Sequence, residues 1–124
     1  MKLSKIFIMA SILTVFTINT AQAKTTPIQF AKGSTCGYFV GDVAGRIFTL
    51  DLAKGQDLQI NSESIEKIQV KQPNAKVIKP YYSFTEGNNP KKYWNWKIER
   101  NGKYSVTIHA KDDHSYINVG FCAM

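Results

Sequence analysis

The chain has 124 residues and a formal charge of +7, and 44% of it is hydrophobic and 12% aromatic. That apolar content excludes a disordered chain, and the length allows one hydrophobic core but not two. With only 2 cysteines, a disulfide-dense miniature scaffold and a self-contained structural zinc site are both excluded.

In chain order, Met1 to Lys5 forms a short basic segment. Ile6 to Ile18 follows as an apolar run interrupted only by Ser11, Thr14 and Thr17. Ala21-Gln-Ala23 then gives a small-x-small pattern. These three parts in this order predict a secretory signal peptide over residues 1–23. The apolar run is too short for a membrane anchor, and Lys24 after the cut, rather than Cys, argues against a lipoprotein. Residues 24–124 are then expected as a single domain, periplasmic or secreted, with no transmembrane segment. Loss of Lys2 and Lys5 lowers the charge from +7 to +5.

The mature chain reads as β throughout, because its apolar residues alternate. Arg46 to Leu52 places Phe48, Leu50 and Leu52 on one face and Thr49 and Asp51 on the other. Lys54-Gly-Gln56 is a turn, and Asp57 to Asn61 then alternates through Leu58 and Ile60. Ser62 to Val70 is ambiguous: Ile65 and Ile68 are spaced as in a helix, whereas Ile68 and Val70 are spaced as in a strand. Lys76 to Phe84 is less regular, and Pro80 marks a sheet edge or a bulge. Tyr93 to Glu99 groups Trp94, Trp96 and Ile98 on the core side and turns Tyr93 and Asn95 outward. Lys103 to His109 groups Tyr104, Val106 and Ile108. Tyr116 to Cys122 groups Ile117, Val119 and Phe121. Short strands with frequent turn signals predict an all-β fold, an antiparallel β-sandwich or flattened barrel of 7–8 short strands. An α+β domain is the alternative.

An oxidising compartment and an even count predict a Cys36–Cys122 disulfide. It would close most of the mature chain into one loop, worth about 4.6 kcal/mol in the chain-entropy account. Cys122 lies opposite in parity to Ile117, Val119 and Phe121. In a regular pleat the bridge therefore falls on an outer face or at a sheet end, and a core position would need a bulge at Gly120.

Residues able to carry chemistry are few. His109, Asp112, Asp113 and His114 cluster tightly, but Asp-Asp suits a solvated hairpin turn better than a metal site. Tyr81, Tyr82 and Tyr93 flank Thr85 to Lys92 and form a candidate aromatic binding patch beside amides and lysines. Dispersed lysines and a secretory leader do not suit nucleic acid. The sequence holds no nucleophile elbow, no zinc-protease helix and no phosphate loop. A non-enzyme without cofactor or metal is expected.

Four segments together carry a resemblance: Ile28-Gln-Phe-Ala-Lys-Gly33, Tyr38-x-x-Gly41-x-Val43-x-Gly45, Phe48 to Gln56 with its Ala-Lys-Gly-Gln turn, and Gly102-Lys-Tyr-Ser-Val-Thr-Ile108. In this order they resemble the bacterial periplasmic inhibitors of goose-type lysozyme and the small β-sandwich domains appended to secreted peptidases. The resemblance covers the start and end of the mature chain, but not Glu63 to Ile98. It implies a β-sandwich that occludes a lysozyme cleft with its loops. The corresponding loops here are Gly45-Arg46, with no aromatic before Phe48, and Ala110 to Ser115, where Lys111 is the basic residue. The resemblance thus implies a protein partner, for which Arg46, Lys111 and His114 in these loops are candidate contacts, and Asn88, Asn89, Lys91 and Lys92, outside the resemblance, are added as further candidates from their own loop. The alternative is a module for carbohydrate, peptidoglycan or the cell envelope that uses Tyr81, Tyr82 and Tyr93 and does not inhibit lysozyme.

Overall fold

A computed structural model describes residues 24–30, 32–111 and 115–124. The predicted leader lies outside these residues, as do Asp112, Asp113 and His114. Ten strands follow one another among the described residues: β1 (Lys24–Pro27), β2 (Cys36–Asp42), β3 (Arg46–Leu52), β4 (Asp57–Ser62), β5 (Ile65–Lys71), β6 (Val77–Ile78), β7 (Tyr82–Thr85), β8 (Lys92–Lys97), β9 (Gly102–Ala110) and β10 (Tyr116–Ala123). They form two five-stranded sheets, β1-β3-β9-β5-β6 and β2-β10-β4-β8-β7. The all-β sandwich expected from alternation is therefore the fold. Ten strands replace the expected seven to eight because short edge strands, such as the two-residue β6, leave little alternation to read. All pairings are antiparallel except β1 with β3.

The core lies between the sheets. Phe48, Leu58, Ile60, Trp96, Tyr104, Val106, Val119 and Phe121 are fully buried there. Phe48 links the layers by packing its ring 4.9 Å from Phe39 and 5.2 Å from Phe121. The Tyr104 hydroxyl donates to the Arg100 carbonyl at 2.8 Å, so this buried phenol keeps a partner.

The ambiguous Ser62 to Val70 segment is a strand with a bulge. Ile65 pairs with Ala110 and Lys67 with His109, so Glu66 is an extra residue without a counterpart. The extra residue shifts parity between Ile65 and Ile68. Both then face inward at a spacing that imitates a helix. Pro80 stands where the chain leaves β6 at the edge of the first sheet and enters β7 at the edge of the second. Neither place requires a proline N–H for a ladder.

Cys36 and Cys122 are directly paired across β2 and β10 and form a disulfide. The register around them is regular, with Gly120 opposite Tyr38 and no bulge. The bridge therefore lies on the outer face of the second sheet, outside the core cluster, as parity requires. It ties the ends of the described chain together across 86 positions.

Candidate functional site

Strand direction brings the loop candidates to one end of the sandwich. Ser62 pairs with Lys92, Tyr116 with Asp42, and Ile65 with Ala110. The β2–β3, β4–β5, β7–β8 and β9–β10 connections therefore all emerge at that end. Arg46, Asn88, Asn89, Lys91, Lys92 and Lys111 belong to it.

Their local roles differ. The Arg46 side chain donates to the Asp42 carbonyl at 2.8 Å and to the Thr26 hydroxyl at 2.7 Å, and stacks 4.8 Å over Phe39. It clamps β1 onto the sandwich. The Asn89 side chain accepts from the Lys91 N–H at 2.9 Å and shapes the β7–β8 turn. Lys92 lies 5.2 Å over the Trp94 ring. Lys111 is exposed, while its N–H donates to the Ser64 carbonyl at 2.8 Å, fastening the β9–β10 loop to the β4–β5 turn. The far end of the same loop is tied to the start of the β2–β3 connection, where the Val43 N–H donates to the Ser115 carbonyl. Hydrogen bonds from the Ser115 side chain and the Ala44 N–H hold the Asp42 carboxyl below the usual carboxylate range.

The aromatic candidates are on the outer face of the second sheet, and the structure extends their group. Tyr81 meets Tyr82 edge-on at 4.6 Å. Tyr82 stacks on Phe84 at 5.8 Å, and Phe84 on Tyr93 at 4.8 Å. At one end of this ladder the Tyr81 hydroxyl donates to Asp57 at 3.2 Å, and Lys97 sits 4.6 Å over the Tyr81 ring. Burial and the Asp57 bond push the Tyr81 phenol up to about 12. Tyr93 is also raised, first by a hydrogen bond to Glu86 and then by burial. Asn95 turns to this outer face as expected. It is nevertheless buried, because β7 pairs alongside it and the Tyr81 N–H donates to its carbonyl.

Register shows what lies between. One row crosses all five strands as Tyr38, Gly120, Asn61, Tyr93 and Phe84. The next runs from the disulfide through Gln59 and Asn95 to Tyr82. Neither row contains a charged residue. Tyr38 and Tyr116 are 71% and 72% exposed. Sequence reading did not select Tyr38, Tyr116, Asn61 or Phe84. The available signal was an aromatic residue at an outward position of a strand whose other face is apolar, as with Tyr116 beside Ile117 and Val119.

No protein-family model matches this chain, and no curated protein matches it by sequence. Among solved structures, it is similar to the Aeromonas hydrophila PliG, a periplasmic inhibitor of g-type lysozyme. The TM-score is 0.47 at 16% identity, over 83% of this chain and 98% of that one. It is also similar to the pre-peptidase C-terminal domain of a Bacillus anthracis collagenase. There the TM-score is 0.49 at 12% identity, over 86% of this chain and all of that one. At such identities the likeness is one of fold.

Proposed function

We propose that this protein is a non-catalytic, extracytoplasmic binding protein that presents the loop end of its sandwich to a protein partner, with a lysozyme-type muramidase as the first candidate. The convergence of four connections at one end carries this reading. Two of the four, β2–β3 and β9–β10, are the loops on which the sequence resemblance to the lysozyme inhibitors places the contacts. The bond from Lys111 to Ser64 and the bond from Val43 to Ser115 hold the end together. Connections anchored at their ends in this way lose less conformational entropy on docking than unanchored ones. Lys111 and Lys91 supply cations that could meet a catalytic carboxylate. Arg46, engaged in clamping β1, contributes shape. The disulfide suits an oxidising compartment.

The test is titration of the oxidised mature protein against goose-, chicken- and invertebrate-type lysozymes on a cell-wall substrate. Stoichiometric inhibition of one class, weakened by Lys111→Ala and by added salt, is the expected result. The absence of binding and inhibition for all three classes would overturn the proposal.

A further inference from the structure

We propose that the outer face of the second sheet carries a groove for a neutral glycan chain, which meets the loop end at Lys91 and does not depend on the lysozyme reading. Its floor is made by Gly120 and Asn61. A side chain at Gly120 would begin 2.9 Å from Asn61 Oδ1 and 3.0 Å from Nδ2, so the Asn61 amide occupies the space that a Cβ would need. Tyr38 stands on one side of this floor and Tyr93, backed by Phe84, on the other. Three strand spacings separate the two tyrosines, about 14 Å. Over this floor lies a depression of about 330 Å³ that runs from Tyr38 past Tyr116 and Asn118, with Glu63 and Lys91, of opposite charge, at its loop end.

The chemistry of these groups selects the occupant. Tyrosine rings offer flat apolar faces to the C–H faces of pyranose rings, with a polar tip for their hydroxyls. Primary amides both donate and accept, as sugar hydroxyls do. The two central rows carry no charge, although 20% of the chain is charged, and the charges at their margins come in opposite pairs, Glu63 with Lys91 and Asp57 with Lys97, so the centre of the face complements an uncharged ligand. A protein interface would more commonly centre on a dry apolar cluster. Here the centre is amide and glycine, and the aromatic rings flank it.

The probe is a chitin oligosaccharide titrated into the oxidised mature protein and followed by amide chemical shifts, with retention on insoluble peptidoglycan as a second readout. We expect saturable binding that shifts Tyr38, Asn61, Tyr93 and Asn118, and that weakens about tenfold in Tyr38→Ala and in Tyr93→Ala. Tyr38 is mostly exposed, so that variant keeps its fold, and Tyr116→Ala gives a second exposed test of the same wall. Lys111→Ala leaves glycan binding unchanged. Three results would each overturn the assignment: no binding of oligosaccharide or peptidoglycan, full binding in both Tyr38→Ala and Tyr116→Ala, or loss of lysozyme binding in these variants without any glycan binding. The last would make the face part of the protein interface.

Discussion

The two sheets of this sandwich turn very different faces to solvent. On the first sheet the outward rows read Ile47, Thr107 and Gln69, then Thr49, Ser105 and Lys71, then Asp51 and Lys103, with Lys67 beside His109. Apart from Ile47 beside the edge strand β1 and Gln69, these are short hydroxyls and scattered charges, the usual composition of a solvated antiparallel face. On the second sheet the two central rows hold tyrosines, amides, a glycine and a disulfide, and the charges, such as Asp57 with Lys97, are kept to the margins. The inner faces of both sheets obey one rule, apolar at every second position. The outer faces need not be alike to keep the fold, so their difference points to function.

The sharpest way to break that contrast is to compare an inner and an outer aromatic residue of the second sheet. Trp96→Ala empties a fully buried site and should cost about 3–5 kcal/mol. Tyr38→Ala on the outer face should change stability by less than about 0.5 kcal/mol. Urea unfolding of both variants reads the difference. Equal losses would mean that the outer rings are structural.

The disulfide ranks next. Replacing Cys36 and Cys122 together by Ser should lower stability by about 2–5 kcal/mol, again by urea unfolding, because the bridge closes most of the domain into one loop. Gly120→Ala should follow at about 1–3 kcal/mol, since its new methyl must displace the buried Asn61 amide. Unlike the cysteine pair, it should also remove oligosaccharide binding, because it disturbs the groove floor itself.

Much of this architecture was legible in the sequence, and the physical reason is parity. Where a strand buries one face, alternation names the core, as it did for Phe48, Leu50 and Leu52 and for Ile117, Val119 and Phe121. The same count put Cys122 on the outer face. Parity fails at a bulge, so the extra Glu66 made β5 read partly as helix. It is also silent on which strands become neighbours. Tyr38, Gly120, Asn61 and Tyr93 come from four strands, and only the order β2-β10-β4-β8 sets them in one row. The groove was therefore hidden, while the ladder partners Tyr81 and Tyr82, adjacent in sequence, were visible. The loop residues were found because turn composition is local, but the clamp made by Arg46 depends on β1 lying beside β3.

Two titrations probe the smallest effects. Tyr81 should ionise late, near 12, in an alkaline absorbance titration. Asp57→Asn should bring that midpoint down, because the carboxylate that opposes the phenolate is gone. A tyrosine raised in the folded state contributes stability below its ordinary value near 10, and that contribution fades as pH rises through the folded value. Asp42 behaves oppositely. Its lowered carboxyl contributes stability above the ordinary carboxylate value, and this is lost as pH falls through the depressed one. Asp42→Asn should flatten that acid limb slightly, as read by thermal unfolding at successive acidic pH values.

The contrast between the two outer faces is tested most directly by mapping backbone amide shifts across the whole domain while a chitin oligosaccharide is titrated in. The predicted changes are confined to the rows through Tyr38, Gly120, Asn61 and Tyr93 and to the neighbouring Asn118, with Thr49, Ser105 and Lys71 on the first sheet unmoved. Shifts centred on the first sheet, or none at saturating oligosaccharide, would contradict the account.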